Sequence, residues 1–194
     1  TEDAEGNIIM EMEPVPTRTV DVNERIQANL PETIEPTGDQ GYTLLDVYNG
    51  DISMEEFVAQ LPLEDVAYLC RGEGMNSPKV TPGTASAFGG LTDSLKALGI
   101  PIGCCADGPS GIRMDDGELA TALPIGTLMA CTWNTDLVEK LHTLHGQELV
   151  LNNVECMLGP GINIHRDPLC GRNFEYLSED PVLTGVVASP ATRG

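Results

Sequence analysis

An α/β fold with parallel strands is predicted for residues 92–194 by three features. Strand, helix, strand, loop and helix signals follow one another, both strand signals are short continuous apolar runs, and each run stops at a turn containing Gly and Pro. Upstream, a helical hairpin is predicted over 53–70. Residues 1–45 are predicted to be an acidic linker or extended arm, and 46–194 the folded domain.

The arm is read from composition. Residues 1–40 carry ten acidic and two basic side chains, with Pro14, Pro16, Pro31 and Pro36 and little apolar periodicity, a profile suited to wrapping another surface. The hairpin rests on Ser53-Met54-Glu55-Glu56, a capping box ahead of Phe57, Val58 and Leu61. Pro62 then opens a second stretch bearing Val66, Leu69 and Cys70. From Arg71 to Gly90 the chain is rich in Gly, Pro, Ser and Thr, which predicts a long irregular loop of the kind that carries function.

Thr92 is the expected N-cap of a helix through Leu98, which Gly99 stops; Ile100 to Ala106 then reads as a buried strand ending at Asp107-Gly108-Pro109. Asn134 or Thr135 caps a long helix to about Asn152, with an apolar stripe of Leu137, Val138, Leu141, Leu144 and Leu149. Val154 to Leu158 is the second strand, closed by Gly159-Pro160-Gly161. A last helix starts where Asp180 caps and Pro181 takes the first helical position.

Composition excludes several classes of function. Thirty Asp+Glu against ten Lys+Arg give a formal charge of −20 over 194 residues, so no basic face exists to displace counterions from nucleic acid. The longest apolar runs fall far short of the roughly 20 residues a membrane-spanning helix needs, so no membrane partner is expected. Thr1-Glu2-Asp3-Ala4-Glu5 is acidic where a signal peptide is basic and then apolar, so no export signal is expected. The six cysteines include an adjacent pair, Cys104-Cys105, and no Cys-x-x-Cys, which argues against a secreted disulfide framework. These features predict a reducing, cytoplasmic location.

Functional side chains in parallel α/β folds gather at the carboxyl ends of strands. Two clusters stand there: Asp107-Gly108-Pro109-Ser110-Gly111, and Gly171-Arg172-Asn173-Phe174-Glu175-Tyr176 in the loop after the second strand. A carboxylate accepts from two neighbouring hydroxyls and a guanidinium adds fixed donors, a pair suited to a sugar ring. Local chemistry alone gives more weight to the plainer alternative, Asp107 as a turn former and Arg172 as a surface charge.

Other signals carry less. His142, His145 and Glu148 lie close on the long helix without a further metal ligand, so a solvated helix face is expected there. Gly159-Pro160-Gly161 is followed by Ile164 where a dinucleotide fingerprint needs its third Gly. Glu179-Asp180 resembles a catalytic pair, but Asp180 before Pro181 has the chemistry of a cap. His165 and Arg166, followed by Asp167, line the crevice or brace its loop, and are supporting candidates.

Three blocks, Ala106-Asp107-Gly108-Pro109-Ser110-Gly111-Ile112-Arg113, Leu158-Gly159-Pro160-Gly161-Ile162-Asn163-Ile164-His165-Arg166 and Gly171-Arg172-Asn173-Phe174-Glu175-Tyr176-Leu177-Ser178-Glu179-Asp180-Pro181, strongly resemble glycoside hydrolase family 3, in its β-glucosidase branch. Thr132-Trp133-Asn134 falls between them, and the likeness spans about 45–188. The resemblance implies a (β/α)8 TIM barrel, and a retaining hydrolase that removes terminal non-reducing β-D-glucosyl residues. Asp107 and Arg172 map onto family residues that bind hydroxyls of the terminal sugar, and Glu175 is expected to hold Arg172 by an ion pair. The substrate implied is a β-glucoside or oligosaccharide, with no metal and no cofactor.

The same blocks separate branches. The xylosidase branch typically has Glu where Asp107 stands, and the bacterial β-N-acetylhexosaminidase branch lacks the Gly-Arg-Asn-Phe-Glu block. The family nucleophile lies in a later Ser-Asp-Trp-like block after a Lys-His pair, and neither occurs here. No catalytic carboxylate is therefore assigned, and the 194 residues alone are expected to be inactive. A whole barrel takes about 250 residues, so a partial barrel is expected, about three of eight βα units. Such a piece needs the remainder of the enzyme or a companion chain. Ala188 to Gly194 stops within or just after an expected helix, which predicts a copy incomplete at its C-terminus. Asp46-Val47-Tyr48-Asn49-Gly50 and the acidic leader resemble the subgroup whose sandwich domain precedes the barrel, making 1–45 an interdomain linker. A non-catalytic sugar-binding or assembly fragment is the alternative function.

Overall fold

The computed structural model describes residues 3–9, 14 and 18–194. The chain forms two compact units, Thr1–Glu35 and Pro36–Gly194; residues 1–2, 10–13 and 15–17 of the predicted arm lie outside the described residues.

The first unit contains helix α1 (Val22–Gln27), where the sequence predicted extended chain. Asp21 creates it locally, its carboxylate accepting from the N–H groups of Asn23 at 2.8 Å and Glu24 at 3.0 Å. The helix buries no residue, in keeping with the lack of apolar periodicity.

In the second unit, residues 36–45 are bonded to later parts of the chain, although their composition resembles the arm. Thr37 N–H donates to Ala59 O, Leu44 N–H to Leu98 O, and the buried Gln60 amide exchanges hydrogen bonds with Gln40 and Tyr42 backbone groups. Helix α2 (Leu44–Asn49) comes next, closed by the left-handed Gly50. The expected pair of short helices is α3 (Met54–Ala59), with the Ser53/Glu56 capping box formed, and α4 (Leu63–Arg71). Asp65 on α4 is buried and accepts from Thr92 and Ser94 hydroxyls, which ties α4 to the start of α5 (Asp93–Ala97).

The sheet has three strands in the order β1 (Ser86–Gly89), β2 (Ile102–Asp107), β3 (Cys156–Leu158). β2 and β3 are parallel, as predicted, but β1 runs antiparallel to β2 with Ser86 opposite Cys105. Two expectations are corrected here: the stretch 71–90 is not all loop, and the sheet is not all parallel. Only the short α5 lies between β1 and β2, less than the helical crossover a parallel return needs.

Helix α6 (Gly126–Cys131) precedes α7 (Thr135–Leu151), which Asn134 caps by accepting from Leu137 N–H at 3.0 Å. Asp180 caps α8 (Pro181–Arg193), accepting from Val182 N–H at 2.8 Å, with Pro181 first as expected. α6, α7 and α8 share a core of Met129, Ala130, Val138, Leu177, Val187 and Ala191. A second core, Cys104, Ala106, Ile112 and Val154, joins the sheet to Leu149 of α7.

The inward face of α7 corrects the predicted stripe. Val138, His142 and His145 are buried, whereas Leu137 and Leu144 are exposed. The histidines therefore do not lie on a solvated face. His142 Nδ1 donates to Val138 O at 2.9 Å, and the buried Nε2 atoms of both rings lack partners among the described residues. Burial, then the neighbouring His142, lowers the His145 pKa from 6.5, against an opposing pull from Glu148. The unfolded chain thus binds the proton more readily than the folded one. This contribution to stability is complete above pH 6.5 and is lost as pH falls from there through the depressed folded value. Melting temperature is expected to fall between about pH 7 and about pH 5, and His145→Gln to flatten that fall. An unchanged slope in the variant would refute the assignment.

Candidate active site

The carboxyl ends of β2 and β3 open into a cleft of about 780 Å³, lined by Asp107, Gly108, Arg113, Leu158, Arg172, Phe174 and Glu175 among others. Asp107 is the last residue of β2 and Leu158, its parallel register partner, the last of β3. Both predicted clusters therefore meet in one place.

The loop after β2 folds back tightly on itself. Gly111 N–H donates to Gly108 O, Leu123 N–H to Ser110 O and Arg113 N–H to Asp107 O at 2.8 Å. Gly108 and Gly111 have φ of +123° and +119°, and a Cβ on Gly108 would stand 1.8 Å from Gly111 O. Only glycine fits there. Asp107 Oδ1 accepts from Gly108 N–H at 2.9 Å, and Oδ2 lies 3.8 Å from an Arg113 guanidinium nitrogen. Arg113 also donates to Asp115 at 2.9 Å, and that bond, more than Asp107, raises its pKa.

Arg172 stands across the cleft, before the short 3₁₀ turn Asn173–Glu175. Its Nε donates to Glu175 Oε1, so the expected ion pair is present, and Glu175 is buried while the Arg172 side chain is 70% exposed. The Glu175 hydrogen bond, then its charge, raises the Arg172 pKa, with a smaller contribution from Asp107. The guanidinium is held charged, with its remaining N–H groups free of protein partners among the described residues.

The turn bearing Glu175 is itself clasped. Thr127 Oγ1 reaches Tyr176 O at 2.9 Å, and His165 Nε2 donates to Asn173 O at 2.8 Å. A Cβ on Gly126 or Gly161 would stand 2.3 or 2.7 Å from Glu175 O, so two glycines permit this approach. His165 braces the loop through carbonyls, whereas Arg166 is exposed and does not line the cleft. Sequence reasoning missed Arg113 and Thr127 as site residues, and gave no role to Phe174 within the second cluster. Gly108 and Gly111 were the available signal for Arg113, because a loop reversing at both returns residue 113 to residue 107.

The cleft offers a carboxylate with accepting capacity, an immobilised guanidinium and the half-exposed ring of Phe174. That set can hydrogen-bond a polyhydroxylated ring and cover one apolar face. Among the described residues, no group of three or more His, Cys, Asp or Glu side chains is placed to hold a metal ion. No helix among them is long and apolar enough to cross a membrane.

The model of the glycosyl hydrolase family 3 N terminal domain matches residues 55–194, most of the chain and both clusters of the cleft. The chain belongs to glycoside hydrolase family 3. Among family 3 relatives, the β-glucosidase of Ruminococcus albus is 53% identical over 191 residues, covering 98% of this chain but 20% of the relative. β-Glucosidase A of Butyrivibrio fibrisolvens is 38% identical over 187 residues, 95% of this chain and 21% of its own length. In structure, the β-glucosidase of Paenibacillus barengoltzii matches all of the chain with a TM-score of 0.88 at 58% identity, over 21% of that protein. β-Glucosidase 3B of Thermotoga neapolitana, solved with glucose, matches 70% of the chain at 0.62 and 37% identity, over 20% of its own length. This family 3 chain spans about one fifth of the length of these relatives.

Proposed function

We propose that these residues form the first part of the (β/α)8 barrel of a retaining β-glucosidase, and that the cleft holds the terminal non-reducing glucosyl unit of a β-glucoside. The observation that carries this is the convergence of Asp107 and Arg172, from separate segments, on one cleft at the carboxyl ends of β2 and β3. The relatives' names and the glucose-bound neighbour support the same reading.

In this reading Asp107 accepts from sugar hydroxyls. Arg172 donates to them from a position set by Glu175, with His165 and Thr127 holding the turn. Arg113 faces the Asp107 carboxylate at 3.8 Å and helps to orient it. Contacts of this kind accelerate the reaction only insofar as they tighten when the ring flattens toward the oxocarbenium-like transition state. Retention needs two carboxyl groups about 5–5.5 Å apart, one nucleophile and one acid/base. Neither a Ser-Asp-Trp block nor a Lys-His pair occurs in these 194 residues. The nucleophile is therefore assigned to the remainder of the enzyme, and the 194-residue chain alone is expected to bind but not to hydrolyse.

Arg172→Lys tests the site, because an ammonium cannot reproduce the planar donor fork that Glu175 orients. In the full-length protein, kcat/KM for an aryl β-glucoside is expected to fall on the order of tenfold or more. Native-like values would exclude direct contact between Arg172 and the sugar.

A further inference from the structure

One layer beneath the cleft lies a thiol pair that the proposed reaction does not use. Cys105 and Cys156 are register partners in the parallel strands β2 and β3, each two residues before a cleft-lining residue, Asp107 and Leu158. Side chains two apart along a strand share a face, so both thiols stand under the cleft, about 7 Å along the strand from those residues. Cys105 thus stands between two register partners, Cys156 on β3 and Ser86 on β1. Cys104 points the other way, into the core, with Sγ 3.3 Å from the Thr84 hydroxyl.

Register partners on adjacent strands stand about 4.8 Å apart, within the roughly 4.4–6.8 Å Cα separation a disulfide spans. We propose that Cys105 and Cys156 form a reversible cross-strand disulfide by exchange with a low-molecular-weight disulfide. Cys105 is buried, which makes it the second thiol to react. The Cys156 thiolate attacks one sulfur of the small disulfide, forming a mixed disulfide and releasing one small thiolate. The Cys105 thiolate then attacks the Cys156 sulfur and releases the second. Two cysteine thiols lose two electrons and two protons, and the small disulfide becomes two thiols. Burial raises the Cys105 pKa, consistent with its acting second, as the resolving thiol. The product bond ties together the two strand ends that carry Asp107 and Leu158. In a reducing compartment such a bond is transient, as redox-sensing disulfides are.

The test is to incubate the full-length protein with excess oxidised glutathione, quench with acid, block free thiols with N-ethylmaleimide under denaturing conditions, and map tryptic peptides. Cleavage after Lys96, Arg113, Lys140 and Arg166 separates the peptide bearing Cys104 and Cys105 from the one bearing Cys156. The expected product joins these two peptides and is released by dithiothreitol. It is absent from Cys105→Ser and from Cys156→Ser but retained in Cys104→Ser. Persistence of the link in Cys105→Ser would overturn the proposal. So would recovery of both cysteines from the wild-type protein as maleimide or separate glutathione adducts.

Discussion

Asp107→Ala in the full-length protein is expected to lower kcat/KM for an aryl β-glucoside by on the order of a hundredfold or more, with the fold intact. Its carboxylate spends one oxygen on Gly108 N–H and faces Arg113 only at 3.8 Å with the other, which leaves accepting capacity for ligand hydroxyls. Removing it deletes charge-assisted hydrogen bonds and leaves Arg113 without that counter-charge over the cleft. The residue lies at a strand end with its side chain 43% exposed, so truncation opens no core cavity and melting temperature should hardly move. Unchanged kcat/KM would remove Asp107 from the sugar site. Asp107→Asn, which keeps the shape and loses the charge, should fall between the two.

Gly108→Ala is expected to cost about 2–4 kcal/mol of stability and to impair hydrolysis nearly as much as Asp107→Ala. Its φ of +123° is strained for any L-residue, and the added methyl would meet Gly111 O at 1.8 Å, so the loop must open. Opening it displaces the N–H that Asp107 Oδ1 uses and the Asp107 O to Arg113 N–H bond that closes the turn. Gly171→Ala is the control, in the loop that leads into Arg172. A Cβ there meets nothing within 4 Å and the backbone φ is unexceptional, so both readouts should stay near wild type. Thermal unfolding and steady-state kinetics on the two variants separate a loop that must close at Gly108 from one in which any glycine of the motif is tolerant.

Features set by local hydrogen bonding could be read from the sequence. Thr92, Asn134 and Asp180 each cap the helix assigned to them, because a short oxygen-bearing side chain before a helical run satisfies one of its first N–H groups. Features set by distant partners could not. β1 is four residues long and runs into Gly89-Gly90, and it exists because β2 pairs with it. α6 has Ile125 at its cap, with no side-chain bond, so packing against the Glu175 turn and α8 has to hold it. On α7 the leucines at 137 and 144 outweighed two histidines in the pattern, yet the line Val138, His142, His145, Leu149 faces inward. Hydrophobicity alone ranks those faces wrongly when a buried imidazole fills the space.

The site divides in the same way. Asp107, Arg172 and Glu175 stand in contiguous blocks whose residue types announce their chemistry, and the structure brings all three to one cleft. Arg113 and Thr127 reach the site only through the reversal of the Gly108–Gly111 loop and the packing of α6 beneath Glu175. Gly108 and Gly111 hint at the first, and no local pattern encodes the second. Of the two roles open to His165, lining the crevice or bracing its loop, it takes the second, because the ring finds two backbone carbonyls within reach.

The central claim is that Asp107 and Arg172 together hold the terminal glucosyl unit, and a crystal structure of the full-length protein with glucose tests it most directly. The expected result is a glucose ring in the cleft, with Asp107 carboxylate oxygens and Arg172 guanidinium nitrogens each about 2.7–3.2 Å from ring hydroxyls. Glucose bound elsewhere, with both side chains left to Arg113 and Glu175 alone, would contradict it.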